Sequence, residues 1–391
     1  MANICFYFQV HQPYRVRKYS VFDIDNCHNY FDLEKNKEVL LKVAKKSYLP
    51  TNELMLSLIN RHEGKFKIAY SISGVALEQF EEYCPEVIQS FKDLVNTGCV
   101  ELLSETYYHS LAWLQSREEF KEQVLMHKKK LKELFNYTPQ VFRNTELTYN
   151  NELALFVEKM GYKGILAEGA DHVLGWRSPN YVYNPVNSKG ISLLLKNYKL
   201  ADDIAFRFSN KGWKEWPLTA EKYASWVNSA EGVTVNLFMD YETFGEHQWE
   251  DTGIFNFMDK LPEELIKRNI GFMTPSETIK RYKPIAELDI PHIVSWADLE
   301  RDLSAWLGNR MQRFAFEKVY KLKQSILKSK DRELIGVWRK LQTSDHFYYM
   351  CTKWFADGDV HKYFNPYESP YDSFIYYMNA LNDLENRTKK E

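Results

Sequence analysis

The segment that follows an apolar run at 233–239 is dense in groups that can transfer protons. Asp240, Glu242 and Glu246 place three carboxylates within seven residues, and the imidazole of His247 comes next. A solvated loop seldom combines such a set with an aromatic side chain such as Tyr241. In parallel α/β folds, active sites form where strands end and loops begin. The segment is therefore typical of a catalytic loop, although Asp240 taken alone could cap a turn.

Other apolar runs are also followed by ionisable side chains. His11 and Gln12 come directly after the first run, His109 follows the third, and Glu146 follows the fourth. By spacing alone, Glu146 suits the start of the next helix, where acids are favoured. His11 taken alone could equally be a functional residue or a buried histidine that is hydrogen-bonded to the backbone. Glu101 lies inside a predicted strand, which is also compatible with a buried carboxylate paired with a base.

Paired carboxylates on different strands, beside aromatic side chains, suit glycoside hydrolysis. One carboxylate attacks the anomeric carbon, and the other protonates the leaving oxygen and then activates water. No G-x-S-x-G, Walker or strand-linked G-x-G-x-x-G motif points to another chemistry. A metal site formed by His11, His109, Asp240 and His247 stays open, but no H-E-x-x-H spacing supports zinc.

The elements that position these residues alternate in a regular way. Short apolar runs, predicted as strands, are separated by amphipathic helical patterns over the first part of the chain. The runs lie at 3–10, 66–73, 99–104, 140–145, 164–168, 191–196, 204–208, 233–239 and 270–274. This alternation predicts a mostly parallel sheet, either open or closed into a barrel, and the number of runs favours closure. Helical patterns at 298–327, 332–350 and 369–384 have no strands between them. We therefore predict a catalytic barrel at 1–290, with a helical region at 291–391 that packs on it and completes the active site.

The composition of the chain indicates which classes of partner and which cell compartment to expect. The net charge of −2 gives no basic footprint for nucleic acid, and no run approaches the ~18 apolar residues of a membrane span. Five scattered cysteines without a C-x-x-C pair are typical of reduced thiols, and the first residues do not resemble a secretory signal. A cytoplasmic protein is expected. The 15% of aromatic residues fits sugar-stacking surfaces or core packing equally well.

Five sequence blocks, in order along the chain, resemble the conserved regions of glycoside hydrolase family 57. The fourth, MDYETFGEH at 239–247, is the most specific of them. The others are His11-Gln12-Pro13, GCVEL at 98–102, Asn144-Thr145-Glu146, and Trp296-Ala297-Asp298 with SAWLGN at 304–309. The resemblance spans about residues 3–310, and LQTSDHFYY at 341–349 also looks familial.

This resemblance implies a distorted (β/α)7 barrel, a helical C-terminal part and a retaining mechanism on α-glucosidic bonds. Glu146 matches the nucleophile and Asp240 the general acid/base. Seven strands are fewer than the nine runs, so one or two runs at 191–208 are expected to form an inserted hairpin. Predicted substrate-binding residues are His11, Gln12, Glu101, His109, Trp113, Tyr241, His247, Trp296 and Asp298. No metal or cofactor is predicted.

Within the family, the motifs do not separate hydrolysis, chain transfer, branching and α-galactoside cleavage. Many glucanotransferases carry β-rich C-terminal domains that are not seen in this sequence, which favours an α-amylase-like hydrolase of starch, glycogen or maltooligosaccharides. A 4-α-glucanotransferase or another α-glycoside specificity is the alternative. Two functions of other classes also stay open, namely a metal-dependent polysaccharide deacetylase and a glucan-binding protein without activity. The sequence does not indicate an oligomeric state.

Overall fold

A computed structural model describes residues 2–188, 190–353 and 365–390. Most of the predicted helical region at 291–391 falls within these ranges, whereas 354–364 and 391 lie outside the described residues. Among the described helices, none is long and apolar enough to cross a lipid bilayer.

Two sheets supply the strands. They are β1 Asn3–Val10, β2 Ile68–Ile72, β3 Val100–Leu102, β4 Val141–Arg143, β5 Gly164–Glu168, β6 Val182–Pro185, β7 Ser192–Lys196, β8 Thr234–Asp240 and β9 Glu287–Leu288. The first sheet has the order β3-β2-β1-β8, and the second has the order β4-β5-β7-β6-β9. Strands β1, β2, β3 and β8 are parallel, as are β4, β5 and β7.

Backbone hydrogen bonds join the two sheets at both seams. At one seam, the nitrogen of Ser104 donates to Val141 over 3.0 Å and that of Arg143 donates to Ser104 over 2.8 Å. At the other, the nitrogen of Asn197 donates to Asn236 over 2.9 Å. Seven parallel strands thereby follow one another around a ring, β1-β2-β3-β4-β5-β7-β8. The predicted distorted barrel is confirmed.

Helices cover the outside of this ring. They are α1 Leu33–Val43, α2 Leu49–Arg61, α3 Gly74–Tyr83, α4 Pro85–Asn96, α5 Arg117–Phe135, α6 Asn151–Lys159, α7 Asp171–Leu174, α8 Tyr198–Ala205, α9 Ala220–Ser229, α10 Ile254–Lys267 and α11 Pro275–Arg281. Side chains on both faces of β1, β2 and β5 are buried almost without interruption. Strands covered on both faces read as continuous apolar runs, which is why these runs are recognisable in the sequence.

Two predicted strands differ from the structure. The run at 204–208 was predicted as a strand, but Ile204 lies in α8. The side chain of Asn197 accepts from the nitrogen of Leu200 over 3.1 Å and so caps this helix, a local signal that outweighs the apolar run. The run at 270–274 makes only a single bridge, between Ile4 and Phe272. The hairpin near 191–208 consists instead of β6 antiparallel to the barrel strand β7.

The C-terminal helices are α12 Ser304–Leu307, α13 Arg310–Lys321, α14 Lys323–Ser329, α15 Arg332–Lys340, α16 Ser344–Tyr348 and a final helix, Pro370–Lys390. Arg339 of α15 donates to Glu119 of α5 over 2.9 Å, which ties this region to the barrel. The nitrogen of Ser344 donates to the carbonyl oxygen of His109 over 2.9 Å. This second contact places the start of α16 at the carboxyl ends of the barrel strands.

Candidate active site

A cavity of about 790 Å³ opens at the carboxyl ends of the barrel strands. It brings together eight of the eleven residues that the sequence singles out. These are His11, Gln12, His109, Glu146, Asp240, His247, Trp296 and Asp298. Residues up to 287 positions apart (298 − 11) thus share one cleft, which only the barrel and the C-terminal region together can achieve.

Glu146 follows β4 in a left-handed backbone conformation, with φ 58° and ψ 27°. Such strain in a non-glycine residue is typical of functional sites. The indole nitrogen of Trp296 donates to its Oε2 over 2.7 Å, and Nε2 of His109 lies 3.2 Å from its Oε1. Burial alone raises the pKa of Glu146, but the hydrogen bond and charge of His109, with the charge of Arg143, lower it overall. Glu146 is therefore ionised near neutral pH.

Asp240 stands at the end of β8 and lines the same cavity. Burial and the negative charge of Glu146 raise its pKa to about 6, against the lowering effects of Arg143, Lys196 and His109. Two carboxylates in one cleft therefore have proton affinities shifted in opposite directions. This is the arrangement that a nucleophile and a general acid need.

Two histidines stand beside these carboxylates. Nδ1 of His109 lies 2.8 Å from Oε2 of Glu105, so this ring has a carboxylate at each nitrogen. Burial lowers the pKa of His109, but Glu105 and Glu146 overcome it and raise the pKa to about 9. Nε2 of His11 lies 2.9 Å from Oδ2 of Asp345, yet burial and the charge of His109 lower the pKa of His11.

Another carboxylate, Glu242, also lines the cavity. Its Oε1 accepts a hydrogen bond from the hydroxyl of Tyr48 and lies 3.5 Å from the nitrogen of His11. Burial and the charge of Asp240 raise the pKa of Glu242 to about 8. Glu242 is therefore mostly protonated at neutral pH. Glu246, by contrast, pairs with Lys42 and is not among the residues that line the cavity.

Three of the predicted binding residues, Glu101, Trp113 and Tyr241, are not among the residues that line the cavity. Glu101 accepts hydrogen bonds from the nitrogen and hydroxyl of Ser276 at the start of α11, and burial raises its pKa. Trp113 is buried under the guanidinium of Arg117, whose Cζ lies 3.2 Å from the ring centroid. Tyr241 is fully buried in the core, where its hydroxyl bonds to other core side chains.

Sequence reasoning did not select Glu105, Arg143, Lys196 or Asp345 for the site. Glu105 precedes His109 by four residues, a spacing that could have indicated a pair. Asp345 lies 334 positions from the histidine it contacts, so no local pattern identifies it. Arg143 is the last residue of a short strand, and its sequence position does not show in which direction its side chain points.

Among the residues that the structure describes, no group of three or more His, Cys, Asp or Glu side chains is arranged to hold a metal ion. The histidines instead contact carboxylates and a serine hydroxyl. A parallel barrel with two carboxylates of opposite proton affinity at its strand ends has the architecture of a barrel glycosidase.

The chain belongs to glycosyl hydrolase family 57, whose family model matches residues 5–291. A Methanocaldococcus jannaschii protein named "Putative alpha-amylase" is 45% identical over 99% of this chain and 85% of its own length. An alpha-amylase of Pyrococcus horikoshii is 24% identical over 81% of this chain, which spans about half (49%) of that protein. The structure of a GH57-type branching enzyme from Pyrococcus horikoshii matches with a TM-score of 0.71 and 14% identity, over 99% of this chain and 95% of its own.

Proposed function

We propose that this protein is a retaining glycoside hydrolase that cleaves α-1,4-glucosidic bonds of starch-type or glycogen-type glucans and maltooligosaccharides. Glu146 is the nucleophile and Asp240 is the general acid/base. The observation that supports this proposal best is the opposite shift of the two carboxyl pKa values within one cavity. The names of the relatives support an α-glucan as the substrate.

In the first step, a carboxylate oxygen of Glu146 forms a bond to the anomeric carbon. The bond from that carbon to the leaving sugar breaks, and Asp240 gives its proton to the departing oxygen. In the second step, ionised Asp240 takes a proton from water, whose oxygen bonds to the anomeric carbon and releases Glu146. Two inversions leave the anomeric configuration unchanged.

The groups around Glu146 serve both steps. The N–H of Trp296 and the cationic ring of His109 hold its two oxygens, so that the carboxylate is oriented before the sugar arrives. Asp298 also lines the cavity, and its Oδ2 accepts from Nζ of Lys353 over 3.2 Å. His11, Asp298 and Trp296 offer polar groups and an aromatic face for sugar hydroxyls and C–H faces.

The test compares three carboxamide variants on maltopentaose. Glu146→Gln and Asp240→Asn are expected to lower kcat by at least ~10³-fold, while Glu246→Gln keeps most of the activity because Glu246 pairs with Lys42. Azide should rescue Asp240→Asn on an activated substrate such as a 4-nitrophenyl maltooligosaccharide. The nitrophenolate leaves without a proton from Asp240 in the first step, and azide needs no general base when it displaces Glu146 in the second. NMR of the first-formed products should show the α-anomer. Full activity of Glu146→Gln, or a β-anomer as the first product, would refute the assignment.

Transfer of the glycosyl group to another sugar is the second candidate, because it shares the first step. A 4-alpha-glucanotransferase from Thermococcus litoralis has a similar fold, with a TM-score of 0.67 at 16% identity over 88% of this chain and 56% of its own. Product analysis on soluble starch, maltopentaose and an α-galactoside separates the two. Hydrolysis gives shorter chains only, whereas transfer of the glycosyl group gives longer ones as well.

A further inference from the structure

Arg143, at the end of β4, is an unusual residue for a barrel interior. Its side chain is fully buried. Within the described ranges, Nε, Nη1 and Nη2 all have no hydrogen-bond partner. A buried charge is costly unless nearby groups compensate it, so the surroundings of this guanidinium must supply the compensation.

Two aromatic rings lie near the guanidinium of Arg143. Cζ of Arg143 lies 4.8 Å from the centroid of the Trp296 ring and 6.0 Å from that of Tyr7. Nζ of Lys196 lies 5.3 Å from the same indole. A cation near an aromatic ring is attracted to its π-electrons, and it also makes an indole N–H a stronger donor. That N–H is the group that holds Oε2 of Glu146.

The same charge acts on the carboxylates of the site. Arg143 lowers the pKa of Glu105, of Glu146 and of Asp240. An arginine stays protonated at every pH at which the protein works, so this effect is constant. His109 also contributes positive charge, but that charge depends on its own titration.

We propose that Arg143 is a positioning residue, whose buried guanidinium supports the Trp296 indole against Glu146 and holds a fixed positive charge beside the two reacting carboxylates. It touches no substrate and acts through Trp296 and through its field. This inference rests on the proposed function, because it assigns a role in the same two steps.

Other charged groups surround Glu146 and must be considered in any pH dependence. They come from the segments that follow β1 and β3, and from β7, β8 and α16. They are His11, Glu105, His109, Lys196, Asp240 and Asp345. Arg143 does not line the cavity, so replacing it leaves the side chains that line the cavity in place.

The experiment compares Arg143→Met, Arg143→Lys and Trp296→Phe with the wild type by pH profiles of kcat and kcat/KM. Methionine keeps the apolar stem and removes the charge. We expect kcat to fall by about 10–100-fold with KM nearly unchanged, and both limbs of the profile to move to higher pH. Lysine should return the limbs toward wild-type positions, because it restores the charge. The variant that combines Arg143→Met with Trp296→Phe should show a smaller decrease in log kcat than the sum of the decreases in the two single variants.

A purely structural role predicts a different result. It would lower kcat at all pH values without displacing the limbs, and lysine would rescue no better than methionine. Circular dichroism and Tm confirm folding, and Arg143→Gln replaces methionine if that variant does not fold. Titration of Glu146 by 13C NMR of glutamate-labelled protein, with E146Q identifying the resonance, needs no turnover. An unchanged Glu146 titration overturns the inference whether or not glucans are hydrolysed, whereas an inactive wild type overturns the proposed function.

Discussion

The imidazole rings of His11 and His109 stack with centroids 3.9 Å apart and planes 19° apart. A different carboxylate fixes each ring from outside, Asp345 for His11 and Glu105 for His109. Burial, followed by the charge of His109, lowers the pKa of His11, whereas Glu105 and Glu146 overcome burial and raise the pKa of His109. The pair therefore carries one positive charge at neutral pH, on the ring that contacts Glu146.

The first prediction concerns Glu105, which holds that charge in place. Glu105→Gln removes the carboxylate 2.8 Å from Nδ1 of His109, so the pKa of His109 falls and Glu146 loses a cationic partner. We expect kcat/KM at neutral pH to fall by about 10–100-fold, the effect of losing one charge-assisted hydrogen bond. Glu152→Gln, at an exposed ion pair with Arg117, is the control and should keep wild-type kinetics. Equal kcat/KM in the two variants would contradict this role.

The second prediction is the pH profile of the wild type. Glu146 must be ionised, and its lowered pKa puts the acidic limb of kcat/KM below the usual value of 4.5. Asp240 must be protonated for the first step, so activity falls as pH rises through about 6. Initial rates on maltopentaose between pH 3 and 9 test both limbs. A rate that stays level from pH 5 to 8 would show that Asp240 is not the acid.

The barrel strands, and the site residues that directly follow them, could be predicted from the sequence for one physical reason. Strands buried on both faces are apolar throughout, and the polar residues that end them must lie at the same end of a parallel barrel. His11, His109, Glu146 and Asp240 follow that rule and share the cavity.

The remainder depends on tertiary contacts. Asp345 reaches His11 only because α16 docks on the segment that carries His109. Tyr241 is buried in the core, although its neighbour Asp240 lines the cleft. A shift of one residue would exchange the two directions, and no pattern in a single sequence determines which residue faces the cleft. The direction of the Arg143 side chain is hidden for the same reason.

The third prediction addresses the metal-dependent alternative. Both nitrogens of His11 and of His109 already contact side-chain oxygens within the site, so neither ring has a position left for an ion without rearrangement. We expect kcat on maltopentaose to be unchanged after dialysis against EDTA, and elemental analysis of the active protein to show no stoichiometric metal. Loss of activity that Zn²⁺ restores would instead favour a metal-dependent hydrolase.

The fourth prediction concerns the glycine of the loop that carries Asp240. Gly245 has φ +98°, and a Cβ there would lie 2.0 Å from the carbonyl oxygen of Lys46. Gly245→Ala should therefore lower the free energy of unfolding by about 2–5 kcal/mol, from left-handed strain and overpacking together. Gly98→Ala is the matched control, because Gly98 has φ +73° and nothing within 4 Å of its Cβ position. It carries the strain alone, about 1–2 kcal/mol. Urea unfolding of both variants measures the difference, and equal losses would mean that the Lys46 backbone moves aside without cost.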